Sequence, residues 1–291
     1  MDNKRRFPLI LDGFWLKIIA LSTMTIDHIG FLLPPSPTSL AFRYIGRLAL
    51  PLFCFMIAEG VFYTRDFKKY ALRLGVMATV ISIAILGSEL IPLITFSLRN
   101  LGNIYLDLLL GAVAVFLLKH NRWYIKILVF LPIFFGIASF AAEALEFCGC
   151  CGKILWFPFF LRTQYGFFAI LLSVGFYFAR KLTNIFIFWQ SETTGIDSAL
   201  YEDSDLKLKA QNIISILILG VISFIYYLVG RLLPAQYVPL DINIQSFAIF
   251  SGAFILLYNG RRGYNKSWFQ YGTYLYYPVH MVILYLIFSF L

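Results

Sequence analysis

Apolar stretches close to the length that crosses a bilayer, about 20 residues, recur along the chain between short polar connections. They fall at residues 14–33, 43–64, 71–91, 104–118, 125–144, 165–179, 211–232, 243–258 and 268–290. Each predicts a helix, because a helix of this length satisfies its own backbone hydrogen bonds inside lipid. The pattern therefore predicts an all-α, polytopic integral membrane helix bundle of about nine transmembrane helices. The run Ile154–Leu161, with Trp156 and Pro158, is too short to span and is placed at the outer interface as a re-entrant or surface-lying piece. A tenth crossing there would invert the last three helices.

The charges between the stretches alternate. With Lys4, Arg5 and Arg6 cytoplasmic, the inner connections carry Arg65, Lys68, Lys69, Lys119, Arg122, Arg180, Lys181, Lys207, Lys209, Arg261, Arg262 and Lys266. The outer ones hold Arg99, Lys153, Arg162 and Arg231, with Arg43 at a helix start. Positive charge prefers the inside, so the N-terminus is expected there and the C-terminus outside. Moving Arg261, Arg262 and Lys266 outward would oppose the bias, which argues against the tenth crossing. No long soluble segment interrupts the pattern, so residues 1–291 are expected to form a single transmembrane domain. Residues 190–210, acidic through Glu192, Asp197, Glu202, Asp203 and Asp205, are expected as a flexible cytoplasmic loop. Residues 145–163 are expected as an outer connection holding Cys148, Cys150 and Cys151. Their Cys-Gly-Cys-Cys spacing is unlike paired zinc ligands, so no metal is expected, and a disulfide is the readier use in an oxidising compartment. Cys54, inside a span, is expected to pack inertly.

Composition narrows the classes. Of 291 residues 60% are hydrophobic and 13% charged, far fewer charges than a soluble domain carries. The net charge of +9 lies in short clusters between spans, where it orients helices; nucleic acid is not expected as a partner. No short apolar segment with a small-residue cleavage site precedes the first long helix, so no removable signal peptide is expected. The expected location is a cell membrane, plasma or inner, as a multi-pass protein.

Ionisable side chains at bilayer depth are costly and mark candidate sites. Lys17 and His28 lie eleven positions apart on the first helix, about 16 Å and nearly three whole turns, so both face one side. That spacing suits a long substrate with phosphates at its inner end and a reacting group farther out, such as coenzyme A and its thioester. Neutral His28 would be the general base, supported by the adjacent Asp27. A helix-packing histidine and a snorkelling lysine explain the spacing as well. Arg47 has two candidate partners, a substrate anion and Asp27, and Glu59 has Lys17; structural ion pairs between helices are the plain alternative. Arg65 and Arg73, and the pair Arg261 and Arg262 between Gly260 and Gly263, form basic ledges that fit phosphates or simply set topology. Asn103, Asp107 and His280 complete the polar groups expected to face a cavity. His280 follows Pro278, which frees a carbonyl in its helix.

These residues resemble the TraX family, within the wider acyltransferase-3 and heparan-glucosaminide acetyltransferase group of transmembrane acyltransferases. The likeness rests on Leu16–Gly30 with Lys17, Asp27 and His28, on Ile45-Gly46-Arg47 through Pro51-Leu-Phe, and on Glu59-Gly60. Tyr70-Ala-Leu-Arg73-Leu, Tyr258-Asn-Gly-Arg-Arg-Gly263 and Tyr277-Pro-Val-His280 extend it over most of the chain. The resemblance implies acetyl-coenzyme A as cytoplasmic donor, with acetyl transfer to an acceptor at or across the membrane. The family takes its name from a member that N-acetylates pilin subunits. A basic residue separated by ten from a catalytic His is the signature of the acyltransferase-3 relatives, and Lys17 and His28 match it with Lys for Arg, which keeps the charge and loses the planar fork. The chain departs from the family at Gln164-Tyr165-Gly166, where an acidic residue usually stands, and in its cysteine cluster and acidic segment. A pilin-like protein or an envelope glycan is the expected acceptor class, and a homodimer is compatible with the pattern. The competing classes are a proton-coupled transporter or flippase using Asp27, Glu59 and Arg47, and a non-catalytic assembly factor.

Overall fold

The computed structural model describes residues 9–90, 102–149, 152, 154, 156–202, 205–234 and 244–289. Lys4, Arg5, Arg6, Arg99, Cys150, Cys151, Lys153 and Asp203 lie outside the described residues. The fold is all-helical. The elements are α1 Gly13–Leu32, α2 Pro37–Gly46, α3 Ala49–Tyr63, α4 Phe67–Leu90, α5 Ile104–Lys119, α6 Trp123–Ile127, α7 Phe130–Phe147, α8 Phe167–Thr194, α9 Ser198–Glu202, α10 Asp205–Leu232, α11 Gly252–Leu256 and α12 Ser267–Ser289. Short 3₁₀ turns occupy Phe159–Leu161 and Ser246–Ser251. Among the described residues the only β-type pairings are two isolated bridges, Leu11 with Tyr258 and Asn103 with Thr163.

Every apolar stretch read from the sequence has a helical counterpart. Six described segments are long and apolar enough to cross a membrane: Gly13–Leu32, Pro37–Tyr63, Phe67–Leu90, Trp123–Phe147, Phe167–Thr194 and Asp205–Leu232. The other three expected spans fall on α5 with 16 residues, on the 3₁₀ turn plus α11, and on the Tyr-rich α12. Two spans are broken in the same way. Pro51 is the third residue of α3 and Pro132 the third of α7, so neither donates to the carbonyl four positions back, at Arg47 and Leu128. The chain tightens there into i→i+3 bonds: Leu48 N–H to Ile45 O at 3.2 Å and Leu128 N–H to Ile125 O at 3.1 Å.

The acidic segment differs from the expected loop. α8 runs to Thr194, α10 starts at Asp205, and α9 lies between them. Glu, Ala, Leu and Lys are good helix formers, and Asp205 sits in the favourable first turn of α10.

Contacts group the described residues into two compact units, one within Met1–Leu52, Phe178–Val221 and Phe247–Leu291, the other within Phe53–Tyr177 and Ile222–Ser246. In the second, Phe55 meets Phe176 edge to face at 5.4 Å, and Ala114, Val129 and Ile170 pack with Leu110, Leu118, Ile133 and Val174. Large apolar side chains also stand exposed at helical spacing: Leu72, Val76, Val80 and Ile83 on α4, and Leu217, Val221, Phe224 and Leu228 on α10. Apolar stripes of this length facing outward belong in lipid, and the chain is a membrane protein.

Candidate functional site

The buried polar groups of the first unit gather on α1, α2 and α12. α1 starts under an Asp12 N-cap, whose carboxylate accepts from Trp15 N–H. It docks on α2 through two glycines. A β-carbon at Gly30 would lie 2.7 Å from Phe42 Cβ, and one at Gly46 would overlap the Asp27 side chain. Small residues let the two backbones close up. That approach delivers both arginines of α2 and its C-cap to α1: Arg43 donates to Asp27 Oδ2 at 2.8 Å and Arg47 to Oδ1 at 2.6 Å. Arg47 also donates through Nε to Arg43 O at 3.2 Å. Side-chain exposure is 5% for Asp27 and 2% for Arg47, so this is a buried, charge-assisted cluster.

The next residue on α1 has a different partner. His28 Nδ1 lies 2.8 Å from His280 Nε2 on α12, and His280 Nδ1 lies 2.8 Å from the carbonyl oxygen of Tyr276. His28 is 3% exposed and His280 6%. Among the described residues no other hydrogen bond of the His28 ring occurs. Aromatic rings frame the pair: Tyr277 meets His28 edge to face at 5.7 Å, and Tyr276 stacks on His280 at 4.9 Å. The Tyr276 hydroxyl is itself 2.7 Å from Thr25 Oγ1, which ties α12 to α1 one turn before His28. The orienting partner expected in Asp27 is therefore His280; the Asp27 carboxylate is engaged by the arginines.

At the start of α1 the segment Tyr258–Gly263 wraps the helix end. Leu11 N–H donates to Leu257 O, Asn259 N–H to Leu11 O and Gly13 N–H to Arg261 O, at 3.0, 2.8 and 2.8 Å. Gly263, at φ +66°, sits where a β-carbon would overlap Asp12. Asn212 of α10 braces the segment, donating to Leu256 O and Tyr258 O at 3.3 and 2.9 Å. Arg261 and Arg262 are exposed on this braced turn. Half-buried Lys17 lies over the Phe269 ring at 5.9 Å and within electrostatic reach of Arg262. Of the basic residues expected to act together, Lys17, Arg261 and Arg262 are thus brought to one end of α1. Arg47 lies farther along α1, with Asp27.

The remaining candidates lie in the second unit. Glu59 is half-buried on α3, Arg65 exposed after it, and Arg73 of α4 donates through Nε to Lys69 O at 3.3 Å. Asn103 caps α5 by accepting from Leu106 N–H at 3.2 Å and ties it to α4 by donating to Ala78 O at 2.8 Å. Fully buried Asp107 accepts from the backbone of Gln164 at 2.7 Å and of Tyr165 at 3.3 Å. Both residues have structural work, clamping helix ends. Between α7 and α8, Arg162 pairs with Glu146 at 2.8 Å and Glu143 at 3.2 Å. Arg43, Tyr276, Thr25 and Gly46 complete the first unit's cluster; none is a candidate site residue in the sequence, where Arg43 stands at a helix start and Gly46 within a motif. Arg43 resembles a topology charge, and the others carry no charge to draw notice.

The sequence profile described as "TraX protein" matches residues 13–188, more than half of the chain. A protein of Dichelobacter nodosus described as "Probable fimbrial assembly protein FimC, serogroup H1" is 44% identical over 71 residues, 23% of this chain and 29% of that protein. "Uncharacterized protein RP591" of Rickettsia prowazekii (strain Madrid E) is 39% identical over 69 residues, 23% of this chain and 27% of its own length. The matched regions thus span under a third of each of these relatives. No solved structure gives a significant match.

Proposed function

The chain belongs to the TraX family, and from that premise we propose that it is a membrane-embedded acetyltransferase. Its donor is acetyl-coenzyme A, and its acceptor is an amine or hydroxyl presented at the membrane, with surface-fibre subunits as the leading class. The single observation that supports this reading is the His28 ring, buried on a membrane helix and held, among the described residues, by one hydrogen bond at Nδ1. A histidine held that way keeps its other nitrogen for proton transfer. In the proposed step the lone pair of the acceptor nitrogen or oxygen forms a bond to the acetyl carbonyl carbon. The acceptor's proton passes to His28 Nε2 as the carbon–sulfur bond breaks. The departing thiolate then takes that proton from Nε2, leaving the acetylated acceptor, free coenzyme A and neutral His28. Lys17, Arg261 and Arg262, at the other end of α1, are the proposed contacts for the donor's phosphates.

A second reading, a non-catalytic assembly factor, draws on the printed name of the Dichelobacter relative and on the 3% exposure of His28. The two are separated by reconstituting the protein in lipid with radiolabelled acetyl-coenzyme A and an envelope fraction. Acetyl transfer that falls about 10²–10⁴-fold in a folded His28→Ala variant supports the enzyme. Undiminished transfer by that variant removes the base role. A wild-type protein that neither binds the donor nor transfers, while His28→Ala still supports fibre assembly in cells, favours the assembly factor.

A further inference from the structure

We infer that His280 is the positioning residue that sets the proton order of the imidazole pair and so makes His28 Nε2 the basic nitrogen. The argument starts at the Tyr276 carbonyl, which accepts and never donates. His280 Nδ1, 2.8 Å away, therefore carries a proton. In a neutral His280 that leaves Nε2 bare, so the 2.8 Å contact to His28 is a bond donated by His28 Nδ1–H. The lone pair of His28 then resides on Nε2, the nitrogen that makes no hydrogen bond among the described residues. A doubly protonated His280 would reverse the middle bond, so that neutral His28 accepts at Nδ1 and carries its one ring N–H at Nε2, which then cannot act as a base. The site disfavours that state. His280 is buried, and the Asp27 carboxylate, which could have offset an imidazolium, is already engaged by Arg43 and Arg47. The tertiary structure thus gives the role often filled by a carboxylate to a second, neutral histidine 252 positions away. The catalytic meaning of this order rests on the acetyltransferase reading; the order itself does not.

The chain has three histidines, at 28, 120 and 280, which makes a direct test practical. The full-length protein, labelled with ¹⁵N-histidine and reconstituted in lipid nanodiscs, is read by nitrogen NMR, with His120→Gln removing the third signal. The expected result is His28 protonated at Nδ1 and bare at Nε2. In His280→Phe, which cannot accept, that preference is lost and transfer falls about 100-fold in kcat with KM for acetyl-coenzyme A little changed. His280→Gln, whose amide oxygen offers an acceptor near the Nε2 position, keeps the tautomer and restores transfer to within about tenfold of the parent. Protonation of His28 at Nε2 in the parent protein, or an unchanged pattern in His280→Phe, overturns the inference. If His280→Phe does not fold, the parent and His280→Gln spectra decide it. A correct tautomer beside normal transfer by His28→Ala would sustain the proton order and refute the acetyltransferase base, so the two failures are distinct.

Discussion

Gly46 of α2 packs so closely on Asp27 of α1 that one methyl group at position 46 would overlap the Asp27 carboxylate. The contact brings Arg43 and Arg47 to the two carboxylate oxygens. Gly46→Ala must push the helices apart or swing Asp27 out of its pairing, costing about 1–3 kcal/mol as overpacking. A lowered thermal midpoint in detergent checks it; an unchanged midpoint would mean the helices are not this close.

Asp27→Asn leaves the buried Arg47 and the half-buried Arg43 guanidinium groups against a neutral amide. Breaking one side of a buried ion cluster costs about 3–5 kcal/mol, so this variant is expected to be among the least stable single substitutions in the first unit. Thermal-shift midpoints of Asp27→Asn, Arg47→Met and the double variant measure the coupling, and additive losses would contradict a shared cluster.

Asp107 accepts two backbone N–H groups from the turn at Gln164 and Tyr165. Asp107→Ala orphans both donors in a buried place, at about 1–3 kcal/mol each. Asp107→Asn keeps one acceptor oxygen and is expected to lose about half as much. Equal stability of the two variants, compared by denaturation in mixed micelles, would remove the clamp role.

Asp66 lies outside the spans, ahead of α4, and accepts from Lys69 N–H at 3.1 Å. That backbone bond, aided by the Lys69 ammonium, holds its carboxyl below the usual carboxylate range. A depressed folded value means the contribution is complete above the unfolded carboxylate value, about 3.9, and fades as pH drops through the folded one. Asp66→Asn keeps a good N-cap and abolishes the titration. Its stability-versus-pH curve is expected to be flatter than the parent's below about pH 4, and parallel curves would refute the assignment.

Lys17→Met keeps the apolar stem and removes the charge. On the acetyltransferase reading it raises KM for acetyl-coenzyme A about tenfold with kcat nearly unchanged, because a phosphate contact far from the thioester binds ground and transition states alike. A fall in kcat at constant KM would place Lys17 with the chemistry instead.

Helix content and most helix positions were legible in the sequence, because apolar runs of bilayer length and the prolines that break them are local properties. Pro51 and Pro132 mark their breaks without reference to any neighbour. The acidic segment carries two opposed local signals, charge that favours a solvated loop and the helix propensity of the same residues, and helix is what α9 and the start of α10 show. Lys17, Asp27, His28, Arg47 and His280 stood out as ionisable groups on apolar helices, and Arg261 and Arg262 as a pair between glycines.

Which of these groups meet was a different matter. Asp27 and His28 are neighbours in sequence and point to separate partners, two arginines on α2 and a histidine on α12. Hydrophobic length and periodicity act residue by residue, so helicity, membrane residence and ionisable groups on apolar helices follow from local pattern alone. That His28 is held by His280 rather than by Asp27 follows instead from where α2 and α12 dock on α1. Docking is set by close approaches such as Gly30 on Phe42 and Gly46 on Asp27, contacts between side chains that no local pattern encodes.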